Sequence, residues 1–312
     1  MTWANNTGVT EFILLGFSGH LQLLLFVVFL AVYITTALGN ILIIFLTSTD
    51  PALQIPMYFL LRNLSLVDIC LALVILPKML VNLLSEHKGI SFLGCVMQMF
   101  FFLFLGGSEC FLLAAMAYDR YVAICNPLRY TVIMKKGMCV QLTLFSWCSG
   151  VVVGTVQTTW VFSFPFCGPN KVDHFFCDSP PVLKLACADT YLFEIYAVTG
   201  TILIVLFPFM LIVVSYVCIL RTILKIPSAQ GRHKAFSTCT SHIVVVILFY
   251  GTAGLTYFQP KSSYSPELKK LLSLSYTVFT PMLNPIVYSL RNKEVRGATQ
   301  KVLCRKMQEL HL

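Results

Sequence analysis

Apolar positions along this chain come in long blocks rather than in alternation with polar ones. Stretches without Asp, Glu, Lys or Arg extend over 12–49, 89–108, 137–170, 195–220, 235–260 and 271–290. A helix that crosses a bilayer needs about 20 predominantly apolar residues, so each stretch holds one. A seventh block, 57–84, is interrupted only by Arg62, Asp68 and Lys78. The spans are placed near 21–46, 57–84, 93–125, 140–162, 195–220, 236–259 and 270–290. The pattern predicts an all-α membrane protein, a seven-transmembrane helix bundle. It has an outer tail at 1–20, the bundle at 21–290 and a second tail at 291–312.

Composition agrees, with 57% hydrophobic and 11% charged residues among 312. One soluble core could not hold that much apolar surface. Charge sets the orientation. Arg62, Arg120, Arg129, Lys135, Lys136, Arg221, Lys225, Arg232, Lys234, Arg291, Lys293, Arg296, Lys301, Arg305 and Lys306 fall on one side of a seven-span layout. Lys78, Lys88, Lys171, Lys184, Lys261, Lys269 and Lys270 fall on the other, so 15 of the 22 basic residues share one face. The positive-inside rule makes that face cytoplasmic and the amino terminus extracellular. The net charge of +9 then reflects topology and attraction to anionic membrane lipids, and calls for no nucleic acid. No basic residue precedes the first apolar run, so the first span is expected to act as an uncleaved anchor.

The cysteines divide by depth. Cys70, Cys110, Cys148 and Cys218 lie within spans, and Cys125, Cys139, Cys239 and Cys304 near the reducing side. Cys95, Cys167, Cys177 and Cys187 face outward, where two bridges with three possible connectivities are expected. Asn5-Asn6-Thr7 is a glycosylation acceptor in the outer tail.

Ionisable groups within spans are costly and usually functional. Asp119-Arg120, at the cytoplasmic end of the third span, reads either as a charge cluster that changes partners or as an interfacial anchor. Asp68 and Glu109 lie deeper, with Asn40 and Asn284 expected nearby. They read either as an oxygen-ligand site for a small cation such as sodium or as a hydrogen-bond cluster. Pro208, Pro281 and Pro285 kink the fifth and seventh spans. After the last span, Val295, Ala298, Val302, Leu303, Met307 and Leu310 recur at helical spacing among basic residues. They predict a short amphipathic helix on the inner leaflet, with Cys304 placed for palmitoylation.

Several motifs now align with one family. Met116-Ala117-Tyr118-Asp119-Arg120-Tyr121-Val122-Ala123-Ile124-Cys125, followed by Asn126-Pro127-Leu128-Arg129-Tyr130, resembles the signature of vertebrate odorant receptors. Pro56-Met57-Tyr58-Phe59, Lys234-Ala235-Phe236-Ser237-Thr238-Cys239 with Ser241-His242, and Pro281-Met282-Leu283-Asn284-Pro285-Ile286-Val287-Tyr288 match it in order, nearly from end to end. Phe12-Ile13-Leu14-Leu15-Gly16-Phe17 resembles the family's amino-terminal segment. Departures are Gln54, where the family has His, and Leu60, where it has Phe.

The resemblance implies a plasma-membrane receptor for small odorants that activates a stimulatory heterotrimeric G protein and raises cyclic AMP. The same fold would serve a receptor for an internal metabolite. It implies that Arg120 meets the G protein while Tyr216 and Tyr288 move inward, with Asp119, Asn284 and Pro285 in the switch. It implies bridges Cys95–Cys177 and Cys167–Cys187. It places the odorant cavity among Phe102, Leu103, Gly106, Gly107, Gly200, Thr201, Ile204, Ala253, Gly254, Tyr257 and Thr277. Gly106-Gly107 reads equally as room for ligand or as close helix packing. No charge lies in that cavity below its rim, and Phe102 stands where amine receptors keep an Asp, so the expected ligand is neutral and largely hydrophobic. Three other classes fit poorly. A retinal protein needs a lysine in mid-span seven, where this chain has none. A transporter would show repeats. No nucleophile–His–acid set or metal-spaced cluster marks an enzyme, and no cofactor is expected apart from the sodium ion.

Overall fold

The computed structural model describes residues 9–17, 21–167, 170–257, 266–291 and 294–300, with only the backbone described at 255–257, 266 and 290–291. Among the described residues, six helices are long and apolar enough to cross a membrane. They are α1 (Gln22–Thr49), α2 (Pro56–Leu84), α3 (Phe92–Cys125), α4 (Lys136–Val161), α5 (Tyr191–Leu224) and α6 (Ala229–Tyr257). The seventh helix, α7, joins Pro266–Leu274, Ser275–Phe279 and Thr280–Arg291. Hydropathy marks only the lipid-immersed part of each helix, so real ends run past the expected ones. α6, for example, begins at Ala229 rather than near 236, because Ser228 caps it: the Gly231 N–H donates to Ser228 Oγ at 3.1 Å.

α3 is the central helix, 67% buried over its most apolar window against 17% for α5. Side chains such as Leu23 and Leu24 on α1 and Val198 and Leu203 on α5 stay exposed and form an apolar outer wall suited to lipid. α4 meets α3 through small residues spaced four apart, Ser146, Gly150, Gly154 and Thr158, all buried. A Cβ on Gly150 would collide with the Phe104 carbonyl and Ser108, and one on Gly154 would lie 2.9 Å from the Phe100 carbonyl. These residues therefore set how closely the two backbones approach.

The prolines have local remedies. Pro285 has no N–H for the carbonyl four residues back, that of Pro281. Asn40 Nδ2 donates to this carbonyl at 3.1 Å, tying α1 to α7. Gly39 sits beside it because a side chain there would meet Pro285 at 2.9 Å. The chain upstream of Pro208 and of Pro281 takes a wider turn, at Ile202–Leu206 and Ser275–Phe279. Near Pro77, Gln98 Nε2 donates to the Val74 carbonyl at 3.0 Å.

Two features go beyond what the sequence predicts. The helical bundle carries a small three-stranded sheet, and the segment 11–14 of the outer tail is one of its strands. β1 (Glu11–Leu14) pairs antiparallel with β2 (Gly89–Ser91) and parallel with β3 (Lys171–Val172). Phe12 and Leu14 are buried, with the Phe12 ring among Phe92, Phe162 and Phe166. Phe12, Ile13, Leu14 and Leu15 are all apolar and carry no period-two signal, so the alternating burial of this strand appears only once it pairs. At the other end, 294–300 is helical, but Val295 and Ala298 pack into the bundle core with Tyr288 rather than facing the leaflet. Val302, Leu303, Cys304, Met307 and Leu310 lie outside the described residues, as does Asn5.

Candidate functional site

The extracellular end is capped by the loop between α4 and α5. Cys95 at the start of α3 is bridged to Cys177 of this loop, and Cys167 to Cys187. Gln98 was not singled out from sequence, yet its Oε1 accepts the Cys177 N–H at 2.9 Å while its Nε2 donates to the Val74 carbonyl of α2. Phe176 sets its ring edge-on to Phe102, centroids 4.8 Å apart, and so roofs the bundle. His174 Nε2 lies 3.2 Å from Ser273 Oγ of α7, and Lys270 of α7 pairs with Asp173 at 2.7 Å and donates to the Leu15 carbonyl. Burial and the nearby Lys270 charge hold the His174 pKa down at about 3, so this ring is neutral. Burial pushes the Asp178 carboxyl up to about 7, although it accepts the Ser179 N–H at 2.8 Å.

Beneath the roof the expected cavity residues separate into two groups. Phe102, Gly106 and Cys110 lie one turn apart on the same face of α3. Phe102 and Cys110 are buried, Phe102 near Tyr276 of α7 and Cys110 under Tyr250 of α6, whose OH donates to the Cys110 carbonyl at 3.0 Å. Between them Gly106 is partly exposed, and a Cβ there would meet nothing within 4 Å. Leu103, Ala253 and Tyr276 belong to the same apolar cluster. Thr277 is fully buried, with its hydroxyl donating to the Ser273 carbonyl at 2.7 Å.

Gly107 has the packing role instead. A Cβ there would lie 3.3 Å from Gly150 Cα and 3.9 Å from Ile204, so it sits at the junction of α3, α4 and α5. On α5, Gly200 has open space before it and Thr201 donates to the Ala197 carbonyl at 2.8 Å. Gly254 is half-buried on α6, and the Tyr257 side chain lies outside the described residues.

Midway through the bundle, Asn284 Nδ2 donates to both oxygens of Asp68, at 3.2 and 3.0 Å. Asp68 and Glu109 are fully buried, and the Asp68 charge reaches Glu109. Both Glu109 oxygens, Asn40 Oδ1 and Asn284 Oδ1 have no hydrogen-bond partner among the described residues. Carboxylate and amide oxygens are the donors that a hard cation takes.

At the cytoplasmic end the Arg120 charge reaches Tyr216, Cys239, His242 and Tyr288. Asp119 accepts a hydrogen bond from Tyr130 of the following loop at 2.9 Å. The Tyr288 hydroxyl is buried with no hydrogen-bond partner among the described residues. His242 had no role from sequence beyond its motif. Its Nε2 lies 3.1 Å from the Leu113 carbonyl, which only accepts, so Nε2 carries the proton and Nδ1 is an acceptor. Tyr216 OH then donates to Nδ1 at 2.7 Å. One imidazole thus links α5 and α6 to α3.

The family model for olfactory receptors matches residues 29–306. The chain is 60% identical to human Olfactory receptor 10A7 over 309 residues, 98% of each chain. It is 62% identical to human Olfactory receptor 10A5 over 304 residues, 96% of each. It is 52% identical to Olfactory receptor-like protein OLF3 of Canis lupus familiaris over 305 residues, 97% of this chain and 96% of that one. The chain belongs to the olfactory receptor family, multi-pass receptors of the plasma membrane that bind odorants and couple to G proteins, and it is not an enzyme.

Proposed function

We propose that this receptor binds small, neutral, largely hydrophobic odorants in the space before Gly106 and activates a stimulatory G protein that raises cyclic AMP. The carrying observation is the gap at Gly106 on the interior face of α3, closed above by Phe102 and Phe176 and below by Tyr250. The side chains described around it are aromatic, aliphatic or hydroxylic, so an ionic ligand would lose its hydration there without a counter-charge. Thr277, with its hydroxyl hydrogen used within α7, keeps lone pairs to accept a bond from a ligand hydroxyl.

In this reading signalling opens the cytoplasmic end by parting α6 from α3, while Tyr216 and Tyr288 move inward. The bonds from His242 to Leu113 and from Tyr216 to His242 oppose that opening. Once they break, Tyr216 is free to turn toward Arg120, which faces the G protein. A sodium ion held by Asp68 and Glu109, with the Asn40 and Asn284 oxygens completing its shell, would neutralise the buried carboxylates and favour the closed form.

The test is a cyclic-AMP reporter screen of volatile neutral compounds, with surface receptor measured in parallel. Arg120→Ala should abolish the response at near-normal surface level, and agonist potency should depend on sodium in wild type but not in Asp68→Asn. A response preserved in Arg120→Ala, or agonists that are all charged amines or acids, would refute the proposal.

A further inference from the structure

Gln98 lies one turn past Cys95 on α3 and is buried, and both ends of its amide are used. Oε1 accepts the Cys177 N–H at 2.9 Å. Nε2 donates at 3.0 Å to the carbonyl of Val74, three residues before the Pro77 that interrupts α2. Cys177 is thus held from α3 twice, by the bridge to Cys95 and by this hydrogen bond.

The two ties fix different things. The disulfide holds the Cys177 side chain but leaves rotation about the single bonds that join sulfur to the backbone. The Cys177 N–H belongs to the planar peptide unit whose other end is the Phe176 Cα, so the hydrogen bond sets the tilt of that plane. Phe176 is fully buried and meets Phe102 edge-on, which places its ring over the space before Gly106. On the far side of Phe176 the same loop is fixed to α7, through Asp173 with Lys270 and His174 with Ser273. The roof ring therefore hangs between two anchors, and Gln98 is the α3 group that acts on its backbone. Without the Gln98 oxygen the Cys177 N–H is a buried donor that has lost its acceptor, and the loop must shift to find another.

On the reading that odorants bind before Gly106, we propose that Gln98 is a positioning residue for odorant selectivity. It fixes the depth of Phe176 and thereby the largest ligand that the cavity admits. It acts through the Cys177 peptide and not by touching the ligand.

The probes are the neutral agonist returned by the cyclic-AMP screen and its homologues longer and shorter by successive methylenes, each response normalised to surface receptor. Gln98→Met keeps the length and loses both polar ends. It should move the potency ratio of long to short homologues toward the long by roughly threefold to tenfold, the scale of one hydrogen bond. Gln98→Glu, compared with wild type at mildly acidic pH, keeps the acceptor and, with its buried carboxyl protonated, the donor as well. It should retain the wild-type preference. In a Phe176→Leu background Gln98→Met should add no further change in the ratio, because both act on the same ring. If Gln98→Met does not reach the surface, Gln98→Asn replaces it, its amide being one methylene too short to span both partners. An unchanged ratio, or an equal loss for every homologue, would overturn the proposal, and so would a further change in the Phe176→Leu background. Gly106→Ala, assayed alongside, separates the two readings. If it alters no potency, the cavity assignment falls and this proposal with it. If it alters the size preference while Gln98→Met does not, only the role of Gln98 falls.

Discussion

Gly106 and Gly150 bear on opposite sides of the central helix, and adding one methyl group to each should have opposite results. In Gly150→Ala the new Cβ lands on the Phe104 carbonyl oxygen and on Ser108 Oγ, and 2.9 Å from the Ser108 nitrogen. Ser108 Oγ could rotate away, but the carbonyl and the nitrogen are α3 backbone and cannot. The two helices must separate by about 1 Å, which forfeits a quarter to a half of the dispersion energy along the seam. Overpacking of this kind costs about 1–3 kcal/mol, and the better helix propensity of Ala returns up to about 1. The net loss, up to about 3 kcal/mol and centred near about 1.5, should lower the melting temperature of the purified receptor by several degrees and reduce surface expression. In Gly106→Ala the methyl meets nothing within 4 Å, so stability should stay level or rise slightly. The cavity shrinks, however, and agonist potencies should shift, most for the bulkiest odorants. Thermal unfolding in nanodiscs and cyclic-AMP dose–response curves measure both. Gly150→Ala melting at or above wild type would refute the α3–α4 contact. Gly106→Ala with unchanged potencies for every agonist would remove the cavity from that face.

Other consequences follow from the same geometry. Replacing His242 with Leu removes both the bond to Leu113 and the acceptor for Tyr216, so basal cyclic AMP should rise severalfold without ligand. A basal level no higher than wild type at matched surface expression would count against the α3–α5–α6 link. Asp178 holds a proton in the folded state up to about pH 7, while its unfolded carboxyl releases it near the ordinary value of 3.8. Its contribution to stability is therefore full at low pH and lost as pH rises through about 7. The wild-type melting temperature should fall between pH 5 and pH 8 more than that of Asp178→Asn, and parallel curves would reject the assignment. Because Cys95 and Cys177 share one bridge, Cys95→Ser and Cys177→Ser should lose surface receptor equally, and the double variant no more than either.

The sequence by itself determined the number of helices, their order and their orientation. These follow from local quantities, the length of apolar runs and the bias of basic loops, that lipid and water act on without reference to the rest of the chain. The motifs around Arg120, Asn284 and Tyr288 were likewise legible, because an ionisable or kinking residue inside an apolar run stands out wherever it folds. Tertiary structure alone decided what depends on two distant segments meeting. Gly106 and Gly107 are neighbours in sequence and equivalent in composition, yet one borders open space and the other meets Gly150, because successive residues on a helix point about 100° apart. His242 became a link among three helices only when Leu113 and Tyr216 arrived at its two nitrogens. Phe12 and Leu14 were expected in the outer tail, and only pairing with Gly89–Ser91 and Lys171–Val172 made them a strand. Asn82 looks like an ordinary residue near a helix end, yet it is buried, since burial is a property of neighbours and not of the residue itself.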